Sequence, residues 1–96
     1  MSDVVQEAVA ALNAKMGGQG FDGIAKFVIE GEGAIMIDSD GAHAGDDGAD
    51  VTLTADTDTF RSILEGDMNP TAAFMTGKLA VDGDMGMAMK LSGVLG

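Results

Sequence analysis

The only imidazole in this 96-residue chain is His43, between Ala42 and Ala44. Imidazole is the side chain best suited to moving protons near neutral pH, but a general base needs a nucleophile or an orienting partner within reach. The flanking sequence offers no such signature, so His43 reads as a surface residue. Carboxylates are abundant, with 16 Asp and Glu against five Lys and Arg and a net charge of −11. Asp38-Ser39-Asp40-Gly41, followed by Asp46, Asp47 and Asp50, invites a calcium loop. The spacing fails the EF-hand pattern: the third ligand position falls on Ala42, the glycine position on His43 and the terminal glutamate position on Ala49. A solvated acidic loop is the expectation. Gly17-Gly18-Gln19-Gly20 follows a helical pattern rather than a strand and is not succeeded by Lys-Ser or Lys-Thr, so it is no phosphate loop. Cysteine is absent, which removes disulfides, thiolate metal sites and cysteine nucleophiles. No acid sits in an apolar context that would raise its pKa for acid–base work. The chain is therefore expected to have no catalytic residue, no metal and no cofactor.

What remains is the chemistry of apolar surface. Eight Met and four Phe stand in a chain without Trp or Tyr. Methionine is flexible and polarizable, and can line a surface that accepts differently shaped apolar partners. The richest segment is Met85-Gly86-Met87-Ala88-Met89-Lys90-Leu91. Alternation of residues 85, 87 and 89 would suit a strand, but Met, Ala, Lys and Leu favour a helix, which Asp84 can cap. On that helix Met85 and Met89 share one face, while Met87 and Leu91 lie roughly opposite. A helix apolar on two sides must be buried on two sides. One side is expected against a sheet, and the other against Phe60, Ile63, Leu64, Phe74 and Met75 of two preceding helices. The gap between these surfaces, including Ala88, is the expected site for an apolar ligand.

The elements that would position these residues are readable from their boundaries. Asp3 to Lys15 repeats Val5, Ala8, Val9 and Leu12 at helical intervals, Asp3 and Gln6 can form a capping box, and the glycine-rich run ends the helix. Lys26 to Glu30 and Ala34 to Asp38 read as antiparallel strands joined by Gly31-Glu32-Gly33. Asp40-Gly41 then returns the chain through a short strand at Ala42-His43-Ala44. Val51 and Leu53 alternate with Thr52 and Thr54. Asp56 caps a helix closed by Gly66, and Asn69 caps another that starts at Pro70 and ends at Gly77. Lys78 follows that terminus and reads as a partner for helix carbonyls. Lys78 to Asp82 alternates as a strand. The order predicts one α/β (α+β) domain over residues 1–96, with a five-stranded, mainly antiparallel sheet, helices over one face and a hydrophobic cavity between.

These boundaries resemble the sterol carrier protein 2 domain family. The resemblance rests on Ile63-Leu64-x-Gly66, Asn69-Pro70, Phe74-x-x-Gly77-Lys78-Leu79 and Gly83-Asp84-Met85-Gly86-x-Ala88-Met89-Lys90-Leu91, with Asp50-Val51-Thr52-Leu53-Thr54 matching the family's strand before the middle helices. It covers residues 50–91 closely and residues 1–48 in the order of elements. It implies non-covalent binding or transfer of a fatty acid, acyl-CoA, sterol-like or isoprenoid lipid by a protein that is not an enzyme. A scaffold reading stands beside it: similar domains serve bacterial quinone-biosynthesis assemblies by presenting a lipid intermediate.

Composition narrows the partners. Five scattered cations build no phosphate-binding surface, which excludes nucleic acid and argues against strong electrostatic docking on anionic lipid. Family members that shuttle between membranes have basic docking surfaces, unlike this acidic chain. Many also continue past the last helix to help close a tunnel, whereas this chain stops five residues beyond Leu91. An open cavity, or one closed by a homodimer partner, is the expectation. No signal peptide or membrane span is evident, and Val94-Leu95-Gly96 is not a peroxisomal address. A bacterial, cytoplasmic protein is the default.

Overall fold

The computed structural model describes residues 3–17 and 20–95. Helix α1 (Asp3–Met16) buries Val5, Ala8, Leu12 and Met16, three and four residues apart. The Asp3–Gln6 capping box lies outside the described side chains, as do Gly18 and Gln19 of the glycine-rich stop. Gly17 ends the helix at φ 63°.

Five strands follow the predicted boundaries: β1 (Ala25–Ile29), β2 (Gly33–Asp38), β3 (Gly41–Ala44), β4 (Val51–Ala55) and β5 (Leu79–Gly83). Their order across the sheet is β3-β2-β1-β4-β5. Three pairings are antiparallel, and β1 pairs parallel with β4, with Phe27 opposite Leu53. The parallel pair arises because the chain leaves β3 at one edge and must return across the sheet to the far side of β1. Residues 45–50 make that passage over the face away from the helices. The Gly45 N–H donates to the Ala34 carbonyl at 3.2 Å, and Lys26 Nζ meets Asp46 Oδ1 at 2.8 Å. A Cβ on Gly45 would stand 3.0 Å from the Met36 side chain. This strap is why Met36 is buried although it points away from the helices.

The other helices are α2 (Thr57–Glu65), α3 (Pro70–Met75) and α4 (Met85–Leu95), each started by the predicted cap. Asp56 Oδ1 accepts from the Thr59 N–H at 2.7 Å, Asn69 Oδ1 from the Thr71 N–H at 2.8 Å and Asp84 Oδ1 from the Met87 N–H at 3.1 Å. The Thr59 bond is the main cause holding the Asp56 carboxyl below its usual pKa. At the end of α3, Gly77 adopts φ 79°, its N–H donates to the Phe74 carbonyl and the Lys78 N–H donates to the Ala73 carbonyl. Lys78 thus satisfies helix carbonyls through its backbone.

The core lies between the sheet and the helices. Phe27 of β1 meets Phe60 of α2 edge-on, ring centroids 4.4 Å apart, among Leu12, Ile29, Ile35, Ile37, Ile63 and Leu91. Gly83, at φ 106°, brings β5 so close to β4 that a Cβ would strike the Asp50 carbonyl. That same carbonyl accepts from the Asp84 N–H at 3.0 Å, which pins the start of α4 to the sheet.

Candidate lipid-binding groove

Helix α4 has the two apolar sides read from its sequence, but only one is buried. Leu91 and Ala88 press into the core, and the Met87 methyl group lies directly over the bare backbone of Gly23. The other side is left largely uncovered. Met85 is 48% exposed and Met89 75%, and across from them on α3 Phe74 is 42% and Met75 79% exposed. Between the two helices runs a groove of about 260 Å³. Leu53, Leu79 and Val81 of the sheet form its floor, Pro70, Phe74 and Met75 of α3 one wall, and Met85, Ala88 and Met89 of α4 the other. Its polar lining side chains are the hydroxyls of Thr71 and Ser92. No titratable side chain is among its lining residues.

Of the residues expected at an apolar site, the structure brings together Phe74, Met75, Met85, Ala88 and Met89. It does not bring Phe60, Ile63, Leu64 or Leu91 to the groove. Phe60, Ile63 and Leu91 are buried in the main core, and Leu64 packs against its margin. The reason is lateral: α2 packs on α1, whereas α3 and α4 flank β5. Leu53, Pro70, Thr71, Leu79, Val81 and Ser92 were not singled out. The alternation of Leu79 with Val81 and of Val51 with Leu53 was the available signal. That β4 and β5 are neighbours, which turns two stripes into one floor, is a tertiary fact.

A second depression, about 620 Å³, lies at the β1–β2 turn, where Val5, Val28, Ile29 and Ala34 line it together with Gly31, Glu32, Gly33, Gly45 and Asp46. It has glycine backbone and acids at its rim where the groove has methionines.

The titratable groups lie elsewhere. His43 is on β3, the sheet edge opposite β5. Its Nε2 is 3.0 Å from Asp38 Oδ2, and this hydrogen bond raises the imidazole above its usual 6.5 and lowers the Asp38 carboxyl below 3.8. The raised histidine adds stability that is full below pH 6.5 and lost as pH rises through its folded-state value. The lowered aspartate adds stability that is present above pH 3.8 and lost as pH falls through its own. The pair therefore contributes most between those limits. An NMR titration of the His43 ring should give a midpoint above 6.5, and Asp38→Asn should bring it down. An unchanged midpoint in the variant would refute the pairing. In the acidic loop, Asp46 is committed to Lys26, and Asp50 Oδ2 accepts from the Ile24 N–H at 3.4 Å. Among the described residues no three His, Asp or Glu side chains converge on a metal position. No helix among them is long and apolar enough to cross a membrane.

Comparison with known proteins places this geometry in context. The model of the SCP-2 sterol transfer family matches residues 5–96. Hydroxysteroid dehydrogenase-like protein 2 of Xenopus laevis is 40% identical over 82 residues, which are 77% of this chain and 20% of that protein. The chain thus spans about a fifth of the length of that relative. The crystal structure of sterol carrier protein 2 like 2 from Aedes aegypti superposes with a TM-score of 0.78 at 21% identity, covering 95% of each chain. The solution structure of Aedes aegypti sterol carrier protein 2 in complex with the C16 fatty acid palmitate gives 0.76 at 23% identity, covering 99% of this chain and 96% of the other.

Proposed function

The chain belongs to the SCP-2 sterol transfer family, and we propose that it binds the hydrocarbon part of one lipid molecule, reversibly and without covalent chemistry, in the groove between α3, α4 and β5. The observation that carries this reading is the groove itself: apolar on floor and walls, free of titratable side chains, and rimmed by methionines that the fold leaves uncovered. The driving force is desolvation. An acyl chain burying roughly 300 Å² gains about 7 kcal/mol at ~25 cal/mol per Å², before ordering costs. Micromolar affinity is the tight end of that scale.

The dimensions favour a slim ligand. At about 260 Å³ the groove is small for a ligand pocket, which typically measures about 300–1,000 Å³. A fatty acid or fatty acyl thioester suits this volume better than a fused ring system. The flexible methionine rim can re-pack around chains of different length and unsaturation. The Thr71 and Ser92 hydroxyls offer hydrogen bonds to the ligand's polar end. The palmitate complex of the Aedes aegypti relative supports the same ligand class. We place no catalytic step here, because the lone imidazole is at the opposite sheet edge from the groove.

Titration of the delipidated protein with a fluorescent fatty acid tests the reading. One saturable site of micromolar affinity, displaced by palmitate, is expected. Absence of saturation would overturn it, as would release of free thiol from an acyl-CoA that ceases in His43→Ala.

A further inference from the structure

Met1 lies outside the described residues, and the other seven methionines of the chain fall into two groups. Met16 and Met36 are buried, and Met68 and Met87 pack against the core. Met75, Met85 and Met89 are exposed, and all three line the groove between α3 and α4. The accessible sulfur among the described residues is thus gathered around one opening. The chain has no Cys, so no thiol competes with these thioethers for an oxidant.

We infer that Met75, Met85 and Met89 form a modification site for peroxides, and that their conversion to sulfoxides turns a groove that takes up lipid into one that refuses it. The step is a two-electron oxidation. A lone pair on the thioether sulfur attacks one oxygen of hydrogen peroxide, an S–O bond forms and the O–O bond breaks. The other oxygen leaves as hydroxide and takes up the proton of the transferred oxygen, so water is the second product. Sulfur is oxidised and the peroxide reduced, with no charge left over. No side-chain acid or base has to assist, which suits a groove whose lining holds no titratable group. Exposure decides which sulfurs react. Met36 is closed off beneath the strap of residues 45–50, and Met16 is packed into the main core.

The effect on binding follows from where the new oxygens stand. In the empty groove each sulfoxide can turn its oxygen to water, so the fold loses little. An acyl chain laid along the same walls strips that water away. The polar side chains of the lining are the hydroxyls of Thr71 and Ser92, two for three new oxygens. A polar group desolvated without a full complement of hydrogen bonds opposes binding. Oxidation also makes a flexible apolar side chain polar and chiral, which removes the adaptability of the rim. Methionine sulfoxide reductases reverse the change, one for each sulfoxide epimer.

The inference rests on the reading of the groove as a lipid site, but the two are measured separately. Delipidated protein is treated with dilute hydrogen peroxide, and peptide mass mapping locates the added oxygen. Titration with a fluorescent fatty acid then compares treated and untreated samples. Met75, Met85 and Met89 should oxidise well before Met16 and Met36. Affinity should fall roughly tenfold or more while circular dichroism stays unchanged, and should return after treatment with both reductases. Met75→Leu with Met85→Leu and Met89→Leu keeps apolar volume, and should bind within about threefold of wild type both before and after peroxide. Oxidation spread evenly over exposed and buried methionines would overturn the inference, as would full affinity in protein carrying all three sulfoxides. An equal loss in the treated leucine variant would do the same, because the sensitivity would then lie outside the groove. So would a loss of affinity that comes only with loss of the fold. Untreated wild type that takes up no fatty acid would instead sink the groove and the switch with it, leaving the selectivity of oxidation to stand or fall by the peptide map.

Discussion

Val81→Phe should remove most of the protein's capacity to bind a fatty acid while the protein stays folded. Val81 is half-buried on the groove floor, next to Leu79 and below Ala88 of α4. A phenyl ring there occupies space an acyl chain would use. Denying the chain even ~100 Å² of apolar contact removes about 2.5 kcal/mol, between tenfold and a hundredfold in affinity. Ala88→Phe fills the same groove from the helix side and should do the same, with more strain because Ala88 also touches the core. Thr54→Phe, on the strand face turned away from the helices, enlarges a neighbouring position without touching the groove and should leave affinity unchanged. Fatty acid titration of the three variants, with circular dichroism to confirm folding, decides the matter. Full affinity in folded Val81→Phe would remove the groove from the binding site.

How far the sequence led can be followed at particular residues. Every helix start from Asp56 onward, and the stops at Gly66 and Gly77, were legible because capping is local: a side chain meets a backbone group two or three residues away. The two-sided apolarity of Met85 to Leu91 was legible for the same reason. What no local pattern reveals is which apolar stripe meets which. Phe60 and Ile63 make the same helical stripe whether α2 faces a ligand or the core. Only the placement of α2 against α1, with Phe60 over Phe27 of β1, puts them in the core. The same holds for the groove floor, where Leu53 and Val81 are 28 residues apart in sequence and directly paired across β4 and β5. The strap over Met36 was hidden too, since its cause is the strand order.

Phe60→Ala should lower the melting temperature more than any groove substitution and change ligand affinity least. Its side chain is 1% exposed and meets the Phe27 ring edge-on at a centroid separation of 4.4 Å. Truncating a buried phenylalanine costs about 3–5 kcal/mol, through lost transfer energy and the cavity left behind. A domain of this size holds about 5–15 kcal/mol in all, and each kcal/mol moves the midpoint by about 4–8 °C. A drop of roughly 15–30 °C is the result. Phe60→Leu keeps most of the volume and should fall much less, which guards against a variant too unstable to study. Affinity for a fatty acid, measured well below each midpoint, should stay within about twofold of wild type, because surroundings unconnected to a site add independently. The contrast with Val81→Phe is the test. A groove residue loses ligand and keeps stability, whereas a core residue loses stability and keeps ligand. A Phe60→Leu protein that melts like wild type yet binds fatty acid many times more weakly would return Phe60 to the ligand site and refute the division between core and groove.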